Sequence, residues 1–272
     1  MLAAASVFGA ESPWLRPLSG LGVAVETAWR GGLPLPEALN RIAGGVGDMG
    51  DAAGRCGVRF VLQSVLEPGV PYERFIHATG TVPTRGNLHD FFNGLIWLHY
   101  PRTKRLLNRW QAEAIAVQGI GAVRGPLRDA ITVFDENGAV LLAPAALREA
   151  LAGRAWRRLF VDLRPLWAEA RLVVFGHALL EQLVAPRKPL TAHVLMGSNA
   201  PENVANVDAW LAGALDPALL RAKPFAPLPV LGVPGWWAEN ENFCFYDDSS
   251  VFRSARPAQS TQQGSLRAAT VA

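Results

Sequence analysis

Between Thr81 and Gln111 the chain reads TVPTRGNLHDFFNGLIWLHYPRTKRLLNRWQ, and polar groups capable of chemistry recur there at helical spacing. His89 and Asn93 are four residues apart and share one helix face, as do Lys104, Asn108 and Gln111 on the following segment. Histidine is suited to taking a proton from water near neutral pH, and an asparagine or acid beside it can orient the ring or hold a cation. The expected catalytic set is His89 as general base with Asp90, Asn93 and Asn108. Arg102, Lys104 and Arg128 would bind substrate and stabilise developing negative charge. Farther along, His177 and Glu181 are also four apart, and they form a candidate metal-ligand or orienting pair. A divalent metal ion is the cofactor that such donors would use.

Known motifs narrow the chemistry. The adjacent His89–Asp90 pair invites comparison with metal-dependent phosphohydrolases, but those need a further upstream His and downstream Asp, and His77 lies twelve residues away on another element. His89, Asn93 and Asn108 supply the groups of small metal-dependent nucleases, although two consecutive helices differ from the layout of those enzymes. Phosphate-binding loop, dinucleotide, serine-hydrolase and H-E-x-x-H signatures are all lacking. A purely structural account, a helix cap beside a buried hydrogen-bonded histidine, uses the same residues.

Two helices must position this stretch. The first is capped by Asn87 or Asp90 and runs to about Leu98; the second starts at Pro101, whose missing N–H costs nothing in a first turn. Phe91, Leu95 and Leu98, and then Leu106, Trp110 and Ala114, give each an apolar stripe, so the pair should pack as a hairpin that brings the polar rows together. Upstream, residues 12–30 read as an arm that docks aromatics, Leu35 to Ala43 as a short helix and Val58 to Val65 as a strand. Tyr72 to His77 fits either a strand or a helix.

Arg128 to Phe134 and Ala139 to Leu142 are expected to pair as a β-hairpin around Asp135-Glu136-Asn137-Gly138, which makes Asp135 and Glu136 turn residues, as Asp247 and Asp248 are by default. Helices are predicted over 145–151, 154–160, 176–184 and 201–214, and 171–175 reads as a strand or a helix start. The proline-rich run LRAKPFAPLPVLGVPGWW should be extended, wrapping the body and docking Trp236 and Trp237. The fold class is therefore α+β: one mainly helical domain with a small antiparallel sheet and an extended C-terminal wrap. It spans residues 1–256 with an N-terminal arm over 1–30, and the Ser/Gln/Thr/Ala composition predicts a disordered tail over 257–272.

With 272 residues, half of them hydrophobic, the chain can bury a substantial core. No run approaches the roughly 20 apolar residues of a spanning helix, and MLAAASVFGAE lacks the cationic start of a secretory signal, so a cytoplasmic protein without membrane contact is expected. Cys56 and Cys244 are too few for a disulfide framework and should be buried thiols. The net charge of +3 is modest, but Arg102, Lys104, Arg105 and Arg109 cluster within two helical turns.

The run N-x-H-D-x-F-N-x-L-x-W-x-x-x-P-R-T-K-x-x-L-N from Asn87 to Asn108 resembles the hallmark of a bacterial family catalogued only as a domain of unknown function. RDAITVFDENG, FGHALLEQL, PLPVLGVPGWW and FYDDSSVFR extend the resemblance to about Arg256. It implies one family-length domain and supplies no activity. Two functions remain on the residues alone. One is a hydrolase acting on a phosphorylated or nucleic-acid substrate with His89 as general base; the other is a noncatalytic module that holds an anionic partner such as RNA through the basic helix 102–109.

Overall fold

The computed structural model describes residues 6–8, 12–45, 57–119, 124–197 and 206–254. The expected tail over 257–272 lies outside the described residues, as does Cys56. Helix α1 (Ser19–Arg30) and helix α2 (Leu35–Gly45) lead into a small β–α–β unit of β1 (Arg59–Leu62), α3 (Tyr72–Thr79) and β2 (Thr81–Thr84). The two strands are parallel, Arg59 opposite Thr81. Gly80, at φ 64°, supplies the left-handed residue that ends α3 and lets the chain turn at once into β2.

The expected helical hairpin is present as α4 (Leu88–His99) and α5 (Pro101–Gln118). Asn87 caps α4 by accepting from the Asp90 amide at 2.8 Å, and Pro101 occupies the first turn of α5. The apolar stripe of α4 is buried through Phe91, Phe92, Leu95 and Ile96, each contributing roughly 1.5–3 kcal/mol of burial. Trp29 of α1 stacks on Phe91 at 5.6 Å, and Gly94 lets Leu39 of α2 approach so closely that a Cβ there would sit 2.5 Å from its Cδ1. The start of α5 is capped from far along the chain. Asp208 accepts from the amides of Arg102 and Thr103, both at 2.9 Å.

The expected β-hairpin is not formed. Residues Pro126–Asn137 are helix α6, and only Gly138–Leu142 is a strand, β3. Leu127, Ala130, Ile131 and Phe134 recur at helical spacing and are all buried, so tertiary packing of this stripe overrides the strand-like local alternation. Gly138 makes the abrupt junction possible, since a Cβ would run into the Phe134 carbonyl oxygen. The chain continues through α7 (Ala145–Ala152), a short π-helical turn (Arg158–Asp162), β4 (Arg171–Val174), α8 (His177–Gln182), β5 (Thr191–Gly197), α9 (Val207–Ala214), α10 (Pro217–Arg221) and β6 (Ala226–Pro229).

The second sheet has the order β4-β3-β5-β6. Its outer pairs are antiparallel, but its central pair, β3 with β5, is parallel with Ala139 opposite Val194. The class is α+β and mainly helical, as composition and periodicity predict. The proline-rich wrap supplies β6, an edge strand, where Pro227 and Pro229 interrupt the fewest ladder bonds. Beyond it, buried Asn240 donates to the carbonyls of Leu231 and Val233 at 2.8 Å, and Trp236 meets Trp14 of the N-terminal arm at 5.9 Å. Cys244 is a free and exposed thiol rather than a buried one, because it lies on a short 3-10 turn at the surface of the wrap. Among the described residues, no helix is long and apolar enough to cross a membrane.

Candidate functional site

Four helices meet where α6 ends. Gly176 is the hinge of this meeting: a Cβ on it would fall 2.5 Å from the Glu136 carbonyl oxygen and the Gly138 nitrogen, and its amide donates to the Gly138 carbonyl at 2.8 Å. This backbone-to-backbone approach sets His177, the first residue of α8, against Asp135 and Glu136. His177 and Glu181 lie on one face of α8, and both reach His89 of α4. Glu181 Oε2 is 3.0 Å from His89 Nδ1, and His177 Nε2 is 3.1 Å from His89 Nε2. Glu136 Oε2 lies 3.5 Å from His177 Nε2, and Asp135 Oδ2 is 3.8 Å from His177 Nδ1. His89, Glu136 and His177 each present a donor atom within 4.8 Å of the others, close enough to hold one metal ion between them.

A buried ion pair supports this cluster from below. Lys104 Nζ donates to both oxygens of Asp135, at 2.6 and 2.9 Å, and to Asn93 Oδ1 at 3.0 Å. Asn93 in turn donates to the Tyr72 hydroxyl at 3.2 Å. Burial alone would raise the Asp135 pKa, but the Lys104 charge, joined by His177 and His89, outweighs it and holds the carboxyl below its usual range. Burial is also the main force on His177, and with Lys104 and His89 nearby it brings the imidazole down to about 4 against the pull of Asp135. His177 is therefore neutral at pH 7. Glu136 is raised by burial and then by the Asp135 charge, and Glu73 is raised by burial and by the same charge against Lys104.

A cavity of about 310 Å³ opens over the cluster, lined by His89, Asn93, Asp135, Glu136 and His177, with Tyr72, Glu73, Arg85 and Asp90 around them. Of the expected catalytic residues, His89 and Asn93 thus share one cavity. Asp90 also lines it, but its carboxylate is taken by the amide and guanidinium of Arg85, at 2.5 to 3.1 Å, and Glu181 rather than Asp90 contacts the His89 ring. Asn108 points elsewhere: its amide donates to the backbone and carboxylate oxygens of Glu73, and it lines a different cavity. Lys104 is buried in its ion pair. Arg102 lines the second cavity, of about 390 Å³, with Arg105, Arg109 and His77, and Arg128 lies on the first turn of α6 without lining either.

The two residues that sequence reasoning missed are Asp135 and Glu136, taken as turn residues. The signal that identifies them is the helical stripe Leu127, Ala130, Ile131 and Phe134, which makes them the end of a helix rather than the tip of a hairpin. The pair His177 and Glu181 was visible in the sequence, but not its convergence on His89, 88 residues away.

Set beside known proteins, the chain matches over residues 58–256 the model of a family described as protein of unknown function (DUF3025), and it belongs to that family. No curated protein and no solved structure matches it.

Proposed function

We propose that this member of a family of unknown function is a hydrolase whose water is activated at His89. The observation that carries the reading is the 3.0 Å contact between Glu181 and His89 Nδ1, with the other nitrogen of the ring at the cavity where His177 and Glu136 converge. A carboxylate on Nδ1 favours the tautomer with the proton there, which leaves the lone pair on Nε2, facing the cavity and 3.1 Å from His177 Nε2, as the group that acts on water. Neutral His177 and ionised Asp135 add groups able to hold that water, and the rigid Lys104–Asp135–Asn93 contacts fix their positions. The substrate class is a phosphate ester, including nucleic acid. Its support is the row Arg102, Arg105 and Arg109 in the second cavity, from which the Asn108–Glu73 contact leads to the wall of the first.

The test is turnover of chromogenic phosphomonoesters and phosphodiesters and of short RNA by the purified chain supplied with divalent ions. His89→Ala should lower the rate roughly 10²- to 10⁴-fold while the fold survives. Absence of turnover of all three by the wild-type chain would contradict the reading.

One observation favours a second reading, a noncatalytic module for an anionic partner such as RNA: the second cavity carries three arginines and no acid among its lining residues. Replacing Arg102, Arg105 and Arg109 together by Ala should then abolish binding to RNA and its steep salt dependence.

A further inference from the structure

We infer that His89, Glu136 and His177 are the three protein ligands of a divalent first-row transition-metal ion of the zinc class, bound through the two Nε2 atoms and the Glu136 carboxylate. The inference deepens the proposed hydrolase: it rests on that reading for what the ion does, but not for whether the ion binds.

Two of the three donor separations match such an ion. Bonds of 2.0–2.1 Å in tetrahedral geometry hold neighbouring donors about 3.3 Å apart, and the separations here are 3.1 Å between the two Nε2 atoms and 3.5 Å from His177 Nε2 to Glu136, while the third, between His89 and Glu136, lies within 4.8 Å and closes by a turn of the one-third-exposed Glu136 side chain. The outer faces of the two rings are arranged for the same purpose. Glu181 contacts Nδ1 of His89 at 3.0 Å and Asp135 lies 3.8 Å from Nδ1 of His177, beyond hydrogen-bond reach, so each ring has a carboxylate on its Nδ1 side and only His89 is hydrogen-bonded to one. Carboxylates in these positions favour protons on both Nδ1 atoms and turn both Nε2 lone pairs inward, the arrangement that supports metal-bound histidines. Two inward lone pairs and a carboxylate repel one another unless a cation lies between them.

The alternative is a single N–H···N bond between the rings, which needs the proton on Nε2 of one of them. On neutral His177 that would turn a bare Nδ1 toward the Asp135 carboxylate, and on neutral His89 it would do the same toward Glu181; a doubly protonated His89 satisfies both of its contacts without an ion, and zinc binding must then release that proton, so affinity should fall as the pH is lowered. Ligand chemistry favours zinc or its neighbours over magnesium or calcium, since two imidazoles are softer donors than hard cations prefer. With three protein ligands the ion keeps an open position for water, as catalytic zinc sites do. With an ion bound, His89 would contribute to activating water as a ligand in place of acting as the general base, and His89→Ala lowers the rate in either case.

The experiment measures binding without a substrate. The full chain is stripped with chelator, dialysed, and titrated with Zn²⁺ by calorimetry, with stoichiometry read by elemental analysis; Co²⁺ substitution reports coordination through its visible d–d bands. One ion per chain is expected, together with a higher melting temperature on zinc addition. Glu136→Gln and His177→Ala should lose stoichiometric binding and the cobalt bands, and Glu181→Gln should weaken binding roughly 10- to 100-fold. Glu136 is one-third exposed, so Glu136→Gln tests the site even if His177→Ala fails to fold. Failure of the wild-type chain to bind zinc, or unchanged binding by Glu136→Gln, would overturn the inference. Zinc bound without hydrolysis removes the hydrolase and leaves the site; hydrolysis without any metal does the reverse.

Discussion

Lys104→Met should be among the most destabilising single changes in this protein. The Lys104 side chain is 6 % exposed and that of Asp135 15 %, and the ammonium makes contacts of 2.6 and 2.9 Å to the carboxylate and 3.0 Å to Asn93. Methionine fills similar volume but leaves Asp135 buried without its counter-charge, a loss of about 3–5 kcal/mol for a broken buried pair. For a fold of this size that corresponds to a fall in melting temperature of roughly 6–20 °C. In the wild type, Asp135 has a lowered pKa, so its contribution is present above its unfolded value and is lost as pH falls through the lower, folded one. In the variant, burial is no longer opposed by Lys104 and the folded pKa rises. The deficit should therefore be greatest near pH 7 and shrink as the pH falls and Asp135 takes a proton. Urea denaturation of chelator-treated wild type, Lys104→Met, Asp135→Asn and the double variant reads the coupling, with the double variant more stable than additivity allows. A Lys104→Met loss under about 1 kcal/mol, or strict additivity, would refute the claim that this pair holds the floor of the site.

Other consequences can be checked separately. Asp208→Ala removes a long-range cap from the amides of Arg102 and Thr103 and should cost about 2–3 kcal/mol, read by denaturation and by faster amide exchange at those two residues. Gly176→Ala places a methyl against the backbone of Glu136 and Gly138 and should cost roughly 1–3 kcal/mol or more. It should also weaken zinc binding in the same titration, whereas Gly20→Ala, which meets nothing within 4 Å, should do neither. Burial holds His99 below the usual imidazole range, so the unfolded chain binds its proton first as pH falls below about 6.5 and stability drops. His99→Gln should make the melting temperature less dependent on pH in that range.

What could be read from the sequence was local. The Asn87 cap, Pro101 in a first turn, the α4 stripe and the shared face of His177 and Glu181 each depend on residues within one or two turns, and each is found in the fold, whereas the buried face of α5 carries Lys104, Leu107, Asn108, Gln111 and Ile115 and leaves Leu106 and Ala114 of its expected stripe only half-buried. Helix α6 was misread because a strand-like alternation and an Asp-Glu-Asn-Gly run compete locally with a helical stripe whose weight comes only from burial against the rest of the chain. The role of Lys104 was misjudged for the same reason: a cation in a basic run looks solvated until Asp135, 31 residues on, is placed beside it. Strand β5 pairs in parallel with β3 across a gap of more than 40 residues, a partnership with no local mark. His89 and His177 come together only through the Gly176 approach to α6.

Whether His89, Glu136 and His177 form one metal-holding centre is decided by anomalous diffraction from zinc-loaded crystals collected on both sides of the zinc edge. One strong peak is expected about 2.0–2.2 Å from His89 Nε2, His177 Nε2 and a Glu136 oxygen, with Glu181 still hydrogen-bonded to His89 Nδ1. Well-ordered side chains at these three positions with no peak between them, or a peak ligated by other residues, would contradict that assignment.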